Sequence, residues 1–181
     1  MTMQSLLDTL LARDFAGSNC YVLAEWLPIW RAEQEPYAER GPFVCAVAAS
    51  LRADRLAWAF FSGYQAAIQS AFADWVQPGS VHAFCVNESG RRLTDISTAL
   101  HEESGHVFLR GSKSWVLANV ADLTLFVLAR ISDGPPKGPG SLAVARLNLQ
   151  TEGVLSGPPR PQAVVPELPH TDVCFDAVVL E

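Results

Sequence analysis

The chain has 181 residues, a formal net charge of -6 and 49% hydrophobic residues. At that size folding hides roughly 70% of the unfolded chain's surface, so packing alone can hold the fold without a disulfide or a metal. The acidic balance, with 2 lysines and no basic run, excludes a nucleic-acid backbone as partner, because that affinity rests on clustered positive charge.

Met1 leads into TMQSLLDTLLARDF, which lacks a basic n-region and carries Asp8, Arg13 and Asp14, unlike a secretory signal. No uncharged stretch approaches the ~20 residues needed to span a bilayer, and a cytoplasmic protein is expected. SLLDTLLARDF and NCYVLAEWLPIWRAEQ read as helices, with Pro28 kinking or restarting the second. In RLAWAFFSGYQAAIQSAFADW, Leu56, Phe60, Tyr64, Ile68 and Phe72 recur at every fourth position, one face of a long helix. Ala57, Phe61, Ala67, Ala71 and Trp75 widen that stripe, so the helix is expected to be covered on most sides.

The proline and glycine of QPGS, residues 77–80, end the helical pattern. The runs that follow are VHAFCV, DISTALHEE, HVFLRG, KSWVLAN, DLTLFVLAR, SLAVARLNL and DVCFDAVVL, short and rich in Val, Leu, Phe and Thr. They are separated by NESG, ESG, SDGPPKGPG and SGPPRPQ, the punctuation of strands joined by turns. The expected fold is α+β: a helical bundle over residues 1–80, followed by an antiparallel β-barrel or sandwich over 81–181.

Cys20, Cys45, Cys85 and Cys174 make no CxxC and neighbour apolar residues, so buried free thiols in a reducing compartment are expected. His101 and His106 lie five apart around a hairpin turn without a third ligand, and no metal site is expected. His82 and His170 are isolated, which fits surface or edge histidines. Hydrolase elbows, Walker loops and Rossmann fingerprints are all missing from the sequence.

The β-half carries three landmarks in order. Phe84, Cys85, Val86, Asn87, Glu88 and Gly90 form a strand and turn; Gly111, Lys113, Trp115, Val116, Ala121 and Asp122 follow; Phe175, Asp176 and Val178 close the chain. Their order and spacing resemble the middle domain of the acyl-CoA dehydrogenase family, where a strand enters a Thr-Glu-Pro-Gly turn, an Asn-Gly-x-Lys-x-Trp-Ile-Thr strand follows, and a Phe-Asp-x-Val strand ends the domain. The resemblance implies an FAD-dependent oxidoreductase of fatty acid metabolism, acting on CH–CH groups of acyl-CoA-type thioesters. It implies cofactor contacts at Phe84, Val86, Asn87, Trp115, Val116 and Leu117, with the Trp115 indole against the flavin ring, and a substrate contact at Ser89. Such an aromatic contact contributes about 1 kcal/mol beyond area burial. Read without the resemblance, Trp115 is a core aromatic between two strands.

The sequence departs from that family in three places. Asn87-Glu88-Ser89-Gly90 runs straight into Arg91-Arg92-Leu93-Thr94-Asp95, without the family's Gly-Ser-Asp. Leu117 stands where the family has a hydroxyl that bonds the flavin, and losing a partner for a buried polar atom costs about 1–3 kcal/mol. The family continues beyond this point into a four-helix domain with the glutamate base, so the expectation is that 1–181 alone has no catalytic residue and does not turn over. Glu102, Glu103 and Glu167 are expected to be solvated surface charges. A homo-oligomer or a partner polypeptide would then supply the remaining helices, and the aromatics Trp26, Trp30, Trp58, Phe60, Phe61 and Phe72 exceed what a small bundle buries by itself. The rival expectation is a non-catalytic scaffold for protein association or small-ligand binding.

Overall fold

The computed structural model describes residues 3–12, 17–90, 92–118, 120–131 and 139–180. The chain divides into two compact units, one of Met1–Gly79 with Val165–Glu167, the other of Ser80–Val164 with Leu168–Glu181.

The first unit is helical: α1 (Met3–Leu11), α2 (Leu23–Gln34), α3 (Pro42–Ser50) and α4 (Leu56–Ala71). Pro28 lies inside α2, which runs through it unbroken. The chain opens α3 with Gly41 in a left-handed conformation and Pro42 at the first helical position, where a missing N–H costs nothing. That helix was not expected, because PFVCAVAAS is apolar on every side and shows no helical stripe.

Aromatic rings fill this unit. Trp26 stacks on Trp58 at 5.5 Å, and Trp30 meets Phe61 edge-on at 5.2 Å. These four rings are buried, which corrects the expectation of uncovered aromatic surface for them, while Phe60 of the same set is 51% exposed. The Trp58 indole also donates to the Cys20 carbonyl at 3.3 Å. In α4 the buried side is Ala57, Trp58, Phe61, Gln65 and Ile68, whereas Leu56 and Phe60 are exposed. The every-fourth series therefore marked the wrong face for half its length: a strict four-residue step drifts off a 3.6-residue helix, and small residues pack inward.

The second unit is one mixed sheet: β1 (Val81–Cys85), β2 (Ala99–Glu103), β3 (His106–Leu117), β4 (Leu123–Arg130), β5 (Leu142–Asn148), β6 (Val154–Ser156) and β7 (His170–Leu180). Its order is β1-β4-β2-β3-β7-β6, with β5 on β4. It is not a closed barrel, and β1 and β2 both run parallel to β4, where an antiparallel barrel or sandwich was expected. HVFLRG and KSWVLAN are one strand, β3, which continues through Gly111 while the register shift beside it puts the extra residue on β7. The short β6 went unseen in the sequence. The β2–β3 turn forms as expected on Ser104 and Gly105, both left-handed.

Cys20, Cys45 and Cys85 are buried free thiols, but Cys174 is exposed because its strand alternates faces. No helix among the described residues is long and apolar enough to cross a membrane.

Candidate functional site

The site is built where the turn after β1 meets β3. Ser114 donates its backbone N–H to the Asn87 carbonyl at 2.8 Å, which joins the turn to the tryptophan strand. Below that joint, Lys113 is fully buried and its Nζ lies 2.6 Å from Glu88 Oε1 and 3.4 Å from the Val86 carbonyl. The same carboxylate accepts from the Ser97 hydroxyl at 2.6 Å, the Ser97 amide at 2.7 Å and the Thr98 amide at 3.1 Å. Burial raises the Glu88 pKa, but the Lys113 ammonium and these donors outweigh it and hold the carboxyl at about 2. Burial pushes the Lys113 pKa down, against the pull of Glu88.

Trp115 occupies a bulge. On β3 the pairing with β7 slips between Lys113↔Val173 and Val116↔Thr171, so that Ser114 and Trp115 together oppose the single residue Asp172. Trp115 has φ 62, a left-handed conformation that bulky residues avoid, and its side chain is 59% exposed. It is thus not a core filler between strands. Val116 and Leu117 follow, both buried, and Leu117 faces His170 directly across the strand pair. The His170 ring meets the Trp115 indole edge-on at 6.4 Å.

The structure brings Val86, Asn87, Trp115, Val116 and Leu117 to adjoining positions on β3 and its neighbouring turn. Phe84 pairs with Phe126 on β4, one strand further on, and is partly exposed. Ser89 lies exposed past the Glu88 anchor. Sequence reasoning missed the roles of Glu88 and Lys113 as a buried pair and of His170 as a neighbour of Trp115. The pair carried one signal, an isolated lysine in an apolar β-prone run; His170 carried none.

Of the carboxylates expected to be solvated, Glu102 and Glu103 are exposed, but Glu167 pairs with Arg55 at 3.2 Å. Arg55 also clasps Asp54 at 2.9 Å and covers the Tyr21 ring at 4.5 Å.

No protein-family model matches the chain, and no curated protein matches it. Its fold is similar to that of an FAD-dependent dehydrogenase, with TM-score 0.76 and 13% identity, covering 100% of this chain and 56% of that one. It is also similar to an electron transferring flavoprotein of Acidaminococcus fermentans, with TM-score 0.72 and 14% identity, covering 99% and 57%. Butyryl-CoA dehydrogenase from Megasphaera elsdenii gives TM-score 0.70 and 14% identity over 89% and 50%. The chain thus spans about half the length of these structures. At such identities the likeness is one of fold: the chain has the fold of acyl-CoA dehydrogenase-like FAD-dependent flavoproteins, its sheet matching their middle domain.

Proposed function

We propose that residues 1–181 are the helical and middle portions of an acyl-CoA dehydrogenase-like flavoprotein, an oxidoreductase acting on CH–CH groups of acyl thioesters, with FAD against Trp115. The observation that carries this reading is the indole itself. A bulky side chain in a left-handed bulge, turned out of the core, costs free energy that folding does not recover, and such positions concentrate at ligand sites. The residues fit a flat ring on its aromatic side. Trp115 would be the wall, the Val116–Leu117 backbone and the Phe84–Asn87 segment its edge, and Ser89 the hydroxyl toward the thioester.

FAD, when bound, supplies the hydride acceptor. The chain's own part is to bind and orient: Lys113 and Glu88 pin the turn, while the bulge aims the indole. The proton base comes from outside these residues, in a further domain or a partner chain. Glu88 is committed to Lys113, and Asp172 is paired with Arg160 at 2.6 Å. A cytoplasmic homo-oligomer completes the reading. One observation favours the scaffold alternative: the Leu117 side chain is buried and has no hydrogen-bonding group for a cofactor.

Titration with FAD tests the proposal. Uptake of flavin with a shifted absorption band, weakened by Trp115→Ala, is expected. A colourless protein that takes up no FAD, alone or with a candidate partner chain, would overturn it.

A further inference from the structure

We propose that His170 is a ligand-binding residue of the Trp115 site, supplying the side-chain polar contact to the edge of the planar ring that the aliphatic Val116 and Leu117 side chains cannot make. This rests on the flavin reading above.

Register is the first argument. His170 stands directly opposite Leu117 in the antiparallel β3–β7 pair. Directly opposed residues project from the same face with their Cβ atoms about 4.5–5.5 Å apart, so the imidazole stands beside the Leu117 position at the end of the Trp115 bulge. Contact is the second. The His170 ring meets the exposed Trp115 indole edge-on at 6.4 Å and 60°, so the two rings form a corner, one apolar wall and one wall with nitrogen atoms.

Rigidity is the third. His170 exchanges both backbone hydrogen bonds with Arg160, His170 N to Arg160 O at 2.9 Å and Arg160 N to His170 O at 2.8 Å. Ala118 is tied to the preceding Pro169 carbonyl at 2.8 Å. The imidazole therefore starts from a fixed backbone and loses little freedom on binding a ligand.

Chemistry is the fourth. The side chain is half-buried, and its Nδ1 is buried without a well-formed hydrogen bond among the described residues, which leaves the Nε2 side of the ring for a ligand. Burial pulls the imidazole pKa below its ordinary value, partly offset by the Leu168 backbone, which favours the neutral ring. With Nδ1 buried, the neutral ring meets a ligand through Nε2, as a single donor or a single acceptor to the polar edge of a flavin.

The test compares FAD dissociation constants and flavin absorption spectra for the wild-type chain and for His170→Val, His170→Phe and His170→Gln. Loss of one hydrogen bond to a polar ring edge should weaken binding roughly tenfold in the Val and Phe variants and move the flavin band. His170→Gln, which keeps both donor and acceptor, should recover most of the affinity. Adding Leu117→Thr to His170→Val should restore binding from the opposite strand, a rescue that a purely structural histidine would not permit. Melting temperatures monitor the fold, and a destabilised Phe variant leaves the Val and Gln pair to decide. Wild-type affinity and an unshifted band in both Val and Phe variants would overturn this inference while leaving the flavin reading intact. A wild-type chain that binds no flavin, alone or with a candidate partner chain, would overturn both.

Discussion

Lys113 Nζ and Glu88 Oε1 are 2.6 Å apart, on residues 25 positions apart in sequence, and both side chains are cut off from solvent. The pair locks the turn after β1 to the strand that carries Trp115. Its two members are unequally supported. Glu88 keeps three other donors from Ser97 and Thr98, whereas among the described residues Lys113 has the Val86 carbonyl at 3.4 Å besides Glu88.

Breaking a buried pair costs about 3–5 kcal/mol when a charge is stranded. Glu88→Gln strands the ammonium and is expected to fall in that range. Lys113→Met leaves a carboxylate with its donors and is expected to cost less. Urea unfolding of both variants checks the order; a larger loss for Lys113→Met would contradict it.

Acid should weaken the β-unit in two separable windows. His82 is buried, and burial together with the nearby Arg146 charge lowers its pKa from 6.5 to about 4. The folded state thus binds fewer protons than the unfolded one, so stability falls as pH drops from 6.5 to about 4. Glu88 has a depressed pKa, so its contribution is present above 4.5 and is lost as pH falls toward about 2. Replacing His82, which stacks on Phe126 at 5.7 Å, by Phe should flatten the first window and leave the second. Melting temperature measured against pH reads both.

Gly111→Ala is expected to be severe. A Cβ there would lie 2.6 Å from the Thr98 Cα and 2.7 Å from its hydroxyl, and the residue holds φ +138. Backbone strain of this kind costs on the order of 1–3 kcal/mol before any clash is counted. A melting temperature within a degree of wild type would show that β2 can retreat.

Trp115→Gly should separate stability from binding. Glycine removes the left-handed penalty of roughly 1–2 kcal/mol, and little packing is lost because the indole is 59% exposed. An equal or higher melting temperature with weakened FAD uptake is expected. A drop in stability of the size seen for a core aromatic, about 3–5 kcal/mol, would instead make the indole structural.

Sequence alone determined whatever depends on near neighbours. The change from helix to strand at residues 77–80, three of the four helices, and the hairpin on Ser104 and Gly105 follow from periodicity and turn chemistry within a few residues. Which face of α4 is buried did not follow, because Leu56 and Phe60 are as apolar as Ala57 and Phe61, and only the partners choose between them. The same limit governed the site. Trp115 was legible as a candidate, but its exposure comes from a slip in pairing with Val173 and Thr171, more than fifty residues away. Lys113 and Glu88, and Leu117 and His170, are joined by strand register, which distant segments fix together when they bury a common face. Local sequence sets which conformation each segment favours; tertiary structure decides which segments face one another, because that choice minimises the free energy of the whole sheet.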